Sequence, residues 1–304
     1  MDKPTMRDII YETTKKHLCE NNGMWFGECV KDPGGVANTI PEHENVIDTP
    51  MSETAAADFA IGAALSGRRS MYVVRFQNFM LMGASPFISF ASVVKGIYGK
   101  SAPVFIRAVG GDKLDCNHAD MLHSMFMHFS GIKVCAPMTP CEWLDAWETF
   151  MREEQPFFCS EHRDAFNETD EMEDEIYEDA KINLFGISKA RQSLSEAKRI
   201  LNECGIKVNI FHIAWLKPFN AEKYIEVLKK TPLGLVTDAG RVICGAPEHI
   251  AYELMHTVPG CFIYANGIAD FPKSKNPKYY NAVPDAQHIA DMALGILTSR
   301  RDIE

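Results

Sequence analysis

Short apolar runs alternate with segments of helical periodicity along almost the whole chain, and this alternation limits the possible folds more than any other feature. GMWFGECV at 23–30, SMYVVRFQNF at 70–79 and APVFIRAVGG at 102–111 are typical of buried strands. Between the strands lie helical segments, and the clearest is CEWLDAWETFMREE at 141–154. Strands that alternate with helices indicate a mostly parallel sheet covered on both faces. The sequence therefore predicts the α/β class.

An acidic segment interrupts this alternation. NETDEMEDEIYED, at 167–179, carries eight acidic residues and no basic ones. Such a run of like charges is typical of a solvated linker. The strand and helix pattern then resumes with INLFGIS. We expect a first domain at 1–166, an acidic linker at 167–180 and a second domain at 181–304, each domain a mostly parallel sheet flanked by helices.

Composition and charge argue against several classes of protein. Hydrophobic residues make up 46% of the 304 residues, enough for a sizeable core. The formal net charge of −10 argues against nucleic acid or an anionic membrane as a partner, since both attract basic surfaces. We expect no membrane span, because no apolar run looks long enough. The opening MDKPTMRDIIYETTKKHL also lacks the apolar core of a secretory signal.

The cysteines indicate the compartment. There are nine, scattered through the chain without a Cys-x-x-Cys pair. Dispersed cysteines in a chain of this size are typical of free thiols in a reducing environment, and they do not have the spacing of zinc ligands. We therefore expect a cytoplasmic protein without a zinc site.

The most distinctive local feature is DTPMSE, at residues 48–53. A predicted strand ends at Pro50, and Glu53 then enters the first turn of an alanine-rich, nearly uncharged helix. One interpretation is structural: Ser52 caps the helix and Glu53 interacts favourably with its N-terminal dipole. The other is functional, because a carboxyl group beside a buried helix is suited to proton exchange. These residues alone leave both interpretations open.

Several segments in the same order resemble one known family. DTPMSE, AIGAALSGRRS, RFQNF and PVFIRAVGG are similar to the beta subunit of the decarboxylating component of 2-oxo acid dehydrogenases, of the pyruvate and branched-chain type. The wider group is the transketolase-like enzymes that depend on thiamine diphosphate. FGISKARQSLSEAKRILNECG and LVTDAG resemble the C-terminal domain of that family. The resemblance implies a pyrimidine-binding domain followed by a transketolase C-terminal domain.

The resemblance also implies roles for four residues. Glu53 matches the glutamate that donates a hydrogen bond to atom N1′ of the cofactor aminopyrimidine and so activates the cofactor. Phe79 matches the aromatic residue that stacks on the pyrimidine, with Phe76 as the nearby alternative, although both also suit a core position at a strand end. His118 matches a histidine that reaches the reaction centre. Its setting, Asn117-His118-Ala119-Asp120, differs from the His-Ser-Gln of the family, which leaves the substrate and the acyl acceptor open.

One motif of the family is absent from the sequence. Thiamine diphosphate enzymes hold the diphosphate and its Mg²⁺ with a Gly-Asp-Gly motif, and none occurs here. The resemblance therefore implies that this chain binds the pyrimidine end and no metal of its own. An alpha-type subunit would hold Mg²⁺ in an α2β2 heterotetramer, and the isolated chain would be inactive. A lipoyl acyltransferase is a further expected partner.

Three functions are compatible with these observations. The leading hypothesis is an oxidoreductase subunit that decarboxylates a 2-oxo acid and passes the acyl group to lipoamide. The second is a transferase, either a split transketolase or a carboligase, that passes a two-carbon or acyl unit to an aldehyde or sugar. The third is a catalytically silent scaffold subunit, which the presence of Glu53 and Phe79 disfavours.

Overall fold

The computed structural model of the protein describes residues 3–33, 35–111, 118, 120–270 and 283–301. The chain divides into two compact units, Met1–Glu171 and Met172–Glu304. The division falls inside the acidic segment that the sequence predicts to be a linker. We call them the first and second unit.

The described part of the first unit contains a sheet whose strands pair only in parallel. Its strands are β1 (Met24–Gly27), β2 (Val46–Asp48), β3 (Ser70–Val74), β4 (Val104–Gly110), β5 (Lys133–Cys135) and β6 (Phe157–His162). Their order across the sheet is β2-β1-β3-β4-β6-β5. Because parallel strands are joined by crossovers, helices cover the faces of such a sheet.

The helices of the first unit lie between its strands or before the first of them. They are α1 (Met6–Glu20), α2 (Glu53–Leu65), α3 (Met80–Pro86), α4 (Val94–Tyr98), α5 (His123–Met127) and α6 (Pro140–Arg152). Helix α2 buries Ala56, Ala57 and Ala60 completely. These small side chains let α2 pack closely on its neighbours, which explains why a helix with so little amphipathic pattern forms here.

The chain is helical over most of the stretch between β3 and β4, from Gln77 to Tyr98. This stretch contains an 18-residue window with a mean hydropathy of 1.4, so by length and composition alone it qualifies as a candidate membrane span. The prediction that no segment is long and apolar enough is therefore wrong. Small polar residues such as Ser85 break the apolar run in the sequence, whereas the mean hydropathy over the 18-residue window remains high. One face, with Met80, Ala84 and Phe87, is buried in the first unit.

The second unit repeats the architecture with a smaller sheet. Its strands are β7 (Ile182–Ile187), β8 (Val208–Ile213), β9 (Trp215–Lys217), β10 (Leu233–Arg241) and β11 (Phe262–Ile268), and its helices are α7 (Leu194–Glu203), α8 (Ile225–Lys230), α9 (Ala246–Thr257) and α10 (Ala286–Arg301). Four strands form a parallel sheet in the order β11-β10-β7-β8. Leu201 of α7 and Ile289 of α10 pack in the core against Ile182 and Leu184 of β7. The predicted α/β class with mostly parallel sheets is confirmed.

Candidate functional site

Charged residues gather at the edge of the first sheet where its parallel strands end. Glu28 directly follows β1, Asp48 is the last residue of β2 and Arg75 directly follows β3. The order β2-β1-β3 makes these three strands neighbours. In open parallel sheets, ligands bind beyond the carboxyl ends of the strands. We therefore expect a ligand site at this edge of the sheet.

Glu53 lies at the same edge because α2 begins there. The Ser52 hydroxyl caps the helix by accepting a hydrogen bond from the Ala55 amide at 3.4 Å, so the predicted structural role of Ser52 is confirmed. Tyr72 donates a hydrogen bond from its hydroxyl to the Glu53 carbonyl oxygen at 3.4 Å. A β-carbon at Gly83 would lie 3.2 Å from that same oxygen. Glycine at position 83 therefore lets α3 pack tightly against the start of α2.

A cavity of about 250 Å³ opens beside Glu53. Its walls are formed by Glu28, Cys29, Met51, Glu53, Tyr72, Val73, Val74, Arg75, Phe76 and Phe79. The wall combines two carboxyl groups, two phenylalanine rings, a tyrosine and one guanidinium group. Three of the four predicted site residues, Glu53, Phe76 and Phe79, thus line a single cavity, and their roles stay predictions.

Glu28 is the second acid of the cavity, and the sequence interpretation missed it. Its Oε1 atom is buried without a hydrogen-bond partner. Burial raises the pKa of the Glu28 carboxyl, and the neighbouring charge of Glu53 raises that pKa further. Glu28 therefore favours its protonated form more than an ordinary glutamate does. The available signal was an acidic residue directly after an apolar strand.

The aromatic rings place His118 beside this cavity. The ring centroids of Phe76 and His118 are 4.3 Å apart, and those of Phe79 and His118 are 5.5 Å apart with perpendicular planes. The neighbours Asn117 and Ala119 lie outside the described residues. The structure thus brings the fourth predicted residue against the two rings that line the cavity.

Two polar residues between the phenylalanines hold the histidine segment in place. Gln77 is fully buried; its side chain donates a hydrogen bond to the Ser160 hydroxyl at 2.8 Å and accepts one from the Leu122 amide at 2.6 Å. Asn78 donates a hydrogen bond to the Asp120 carboxylate at 2.5 Å and accepts one from the Asp120 amide at 3.2 Å. Asp120 therefore has a structural partner, which gives a physical reason for an acid two residues after His118.

The donor set fits a flat heteroaromatic ring. Aromatic side chains offer faces for stacking, and a carboxyl group beside them can exchange a hydrogen bond with a ring nitrogen. The orphaned Oε1 of Glu28 shows that the polar capacity of the cavity is not used up internally. Within the described part of the chain, no group of three or more histidine, cysteine, aspartate or glutamate side chains is arranged to hold a metal ion.

Comparison with known proteins agrees with this geometry. The family model described as "Transketolase, pyrimidine binding domain" matches residues 13–168, which include every residue of the cavity. A solved structure titled "Split gene transketolase, inactive beta4 tetramer" superimposes with a TM-score of 0.77, and the alignment covers 98% of this chain and 99% of that one. Sequence identity to it is 15%, so this likeness concerns the fold.

Curated relatives resemble the chain in sequence. The beta subunit of acetoin:2,6-dichlorophenolindophenol oxidoreductase from Cupriavidus necator is 26% identical over 228 residues, which cover 69% of this chain and 67% of that protein. The 2-oxoisovalerate dehydrogenase subunit beta from Bacillus subtilis is 26% identical over 251 residues, 74% of this chain and 76% of that protein. A pyruvate dehydrogenase E1 beta subunit from Gracilaria tenuistipitata is 23% identical over 253 residues, 76% and 78% respectively. The predicted resemblance to such beta subunits is confirmed.

Proposed function

The chain belongs to the family of the transketolase pyrimidine-binding domain, and from this premise we propose that it is the beta-type subunit of a thiamine-diphosphate-dependent 2-oxo acid dehydrogenase. Its curated relatives are beta subunits of such dehydrogenases and of an acetoin oxidoreductase. The proposal assigns the pyrimidine end of the cofactor to the cavity at the carboxyl edge of the first sheet.

One observation carries this proposal: the Glu53 carboxyl group and two phenylalanine rings line one cavity. Glu53 would hold a proton at the ring nitrogen N1′, because the capped start of α2 places this residue on the wall of the cavity. Phe79, or Phe76, would stack on the ring. When bound, thiamine diphosphate supplies the carbon nucleophile and the electron sink for the reaction. The second acid, Glu28, would keep a proton within the cavity near Glu53.

The remaining parts of the site belong to a partner in this proposal. The chain has no Gly-Asp-Gly motif for the diphosphate and Mg²⁺, and its relatives are described as beta subunits. We therefore propose that an alpha-type subunit supplies the Mg²⁺ site in an α2β2 assembly, with a lipoyl acyltransferase as acyl acceptor, and that the chain alone is inactive. The eight described cysteines are free, which supports our further proposal of a cytoplasmic location.

A split transketolase or a carboligase is the second candidate. The segment around His118 departs from the family pattern, and this favours the second candidate. In the family that the chain resembles, the corresponding histidine lies at the reaction centre, where the acceptor of the acyl group reacts. One relative is described as acting on acetoin, others on pyruvate or 2-oxoisovalerate. A silent scaffold is disfavoured by the acid and aromatic set that lines the cavity.

Purification from the native host tests the proposal. The chain would be isolated with its associated subunit, identified by mass spectrometry, and assayed for carbon dioxide release from 2-oxo acids with and without thiamine diphosphate and Mg²⁺. We expect turnover that requires both additions and both subunits. The proposal fails if the chain purifies alone and no 2-oxo acid, acetoin or ketose is converted in a thiamine-dependent way.

A further inference from the structure

Two arginines lie at the carboxyl edge of the first sheet, one on the wall of the cavity and one against its Phe76 ring, and the proposed binding of the pyrimidine uses neither. Arg75 follows β3 and lines the cavity, whereas Arg163 follows β6 at the same edge of the sheet. A guanidinium nitrogen of Arg163, Nη2, donates a hydrogen bond to the Arg75 carbonyl oxygen at 2.9 Å. This bond places the Arg163 guanidinium group against the backbone of Arg75, although the strands that precede the two arginines are separated by β4.

These two positive charges have few counter-charges. Arg75 forms one ion pair, with Asp32 at 3.5 Å, and the side chains are 35% and 57% exposed, so water weakens that attraction. Arg163 forms no ion pair with any residue that the structure describes; its contacts are the Arg75 carbonyl and the ring of Phe76. The Nε atoms of both arginines are buried without a hydrogen-bond partner. Buried donors without a partner are uncommon in folded proteins, and a water molecule or a bound anion can complete them.

The positive charges of the two arginines also favour a bound anion. Burial lowers the pKa of the Arg163 guanidinium, and the positive charge of Arg75 lowers it further. Two cations that repel each other inside a half-buried wall are unfavourable on their own. An anion between them would remove this repulsion and accept hydrogen bonds from the planar guanidinium groups, which suit carboxylates.

We propose that Arg75 and Arg163 form an anion-binding subsite of the cavity that receives the carboxylate of a 2-oxo acid substrate. This assignment rests on the proposed function and names its substrate class. Arg163 lies 4.8 Å above the ring of Phe76, and the ring of His118 lies 4.3 Å from the same ring. One aromatic side chain therefore joins the anion subsite to the predicted catalytic histidine. A neutral ketone such as acetoin would leave both guanidinium groups without a partner.

The test compares charged and neutral substrates in the complex of the chain with its associated subunit. Pyruvate and 2-oxoisovalerate carry a carboxylate, whereas acetoin is neutral. For Arg163→Gln and Arg75→Gln we expect kcat/KM for the 2-oxo acids to fall about 10- to 100-fold, mainly through KM, because a hydrogen-bonded charge is lost. Turnover of acetoin should change less than about threefold. Arg199→Gln, an exposed arginine paired with Glu196 and Glu203, is the matched control and should leave both substrates unaffected.

Each other result overturns the assignment in a recognisable way. Equal losses with charged and neutral substrates would show that the arginines act only on structure. Loss of subunit association, measured by mass photometry, would show that a carboxylate of the partner occupies the subsite. Thiamine-dependent turnover of acetoin but of no 2-oxo acid in the unaltered complex would refute the subsite and leave the cofactor assignment intact. No thiamine-dependent turnover at all would refute both.

Arg163→Lys, which keeps the charge, should recover part of the 2-oxo acid activity and tests the subsite if the glutamine variant fails to fold.

Discussion

The two units share an architecture but place their buried polar side chains differently. In the first unit, Glu28, Arg75 and Arg163 at the carboxyl edge of the sheet each have a buried polar atom without a hydrogen-bond partner. In the second unit, Asn183 and Asn209 lie near the amino ends of β7 and β8 and face each other in register. Both asparagines are fully buried.

The asparagine pair of the second unit has its hydrogen-bond partners within that unit. Asn209 donates a hydrogen bond to the Asn183 side-chain oxygen at 2.8 Å and accepts one from the Tyr177 amide at 2.7 Å. Asn183 donates to the carbonyl oxygens of Thr231 and Leu233 at 2.7 and 2.8 Å. The pair thus joins β7 and β8 to the loop before β10 and to the acidic segment.

This contrast between the two units distinguishes polar groups that stabilise the fold from polar groups that bind a ligand. A buried polar group whose partners all lie within the chain contributes to stability, and its removal leaves those partners unpaired. A buried polar group that faces a cavity and lacks a partner lowers stability, and a ligand is needed to complete it. The following variants test that division, and those with the strongest consequences come first.

Glu53→Gln should have the largest effect, on activity alone. Glutamine keeps the shape of the side chain but cannot exchange a proton at the ring nitrogen, so kcat of the assembled complex should fall about 10²- to 10⁴-fold. The measurement is steady-state turnover with saturating cofactor. Glu226→Gln, at an exposed helix start in the second unit, serves as the control. Undiminished turnover of the Glu53 variant would remove this residue from the mechanism.

Asn183→Ala should lower stability without a specific loss of activity. The change leaves two carbonyl oxygens and the Asn209 amide without their partner, so the free energy of unfolding should fall by about 2–4 kcal/mol. Urea unfolding measures this change, with the exposed Asn202→Ala as the control. If activity were lost while stability stayed the same, the asparagine pair would belong to a functional site and the division between the units would be wrong.

Phe79→Leu should weaken cofactor binding by a smaller factor. Loss of one stacking contact, worth about 0.5–1.5 kcal/mol, corresponds to roughly a 2- to 13-fold rise in the dissociation constant of thiamine diphosphate. Titration of the assembled complex measures it. Phe211, whose ring stacks on Phe185 at 4.9 Å in the second unit, offers the contrast, because Phe211→Leu should lower stability and leave the dissociation constant unchanged. An unaltered cofactor affinity in the Phe79 variant would transfer the stacking role to Phe76.

Glu28→Gln should raise thermal stability slightly. Because folding raises the pKa of Glu28, the charged side chain destabilises the folded chain at pH values above that raised pKa, and the neutral glutamine removes this cost. We expect an increase of about 1–3 °C in melting temperature at pH 8. The increase should shrink as the pH falls and disappear below the ordinary glutamate pKa of about 4.3, where both states are protonated. A stability gain that does not vary with pH would contradict the electrostatic origin.

Much of the fold was predictable because the signals are local. Alternating apolar runs and helical spacing report on the conformation of each segment, and they gave parallel α/β sheets in both units. DTPMSE predicted the capped start of a helix at Glu53, since a cap depends on four adjacent residues. The stretch up to Tyr98 lies between the predicted strands at 70–79 and 102–111, where the alternation favours a helix, whereas its apolar character was underestimated.

The composition of the cavity was not predictable in the same way. Glu28 and Arg163 are 135 positions apart in the sequence, and neither stands in a recognisable motif. They reach one edge of the sheet only because the strand order β2-β1-β3-β4-β6-β5 brings the ends of β1, β3 and β6 there. Gln77 and Asn78 likewise fix the segment of His118 through bonds across the fold.

Local sequence patterns were sufficient to assign many strands and helices, to locate the acidic segment that divides them, and to identify the glutamate that begins the alanine-rich helix. Only the folded arrangement brings a second acid and Arg75 to the same cavity as that glutamate, and Arg163 to the ring of Phe76. Backbone conformation and capping depend on neighbours within a few residues and can therefore be predicted from the sequence. Burial, unpaired hydrogen-bond donors and shifted pKa values depend on which distant strands lie side by side.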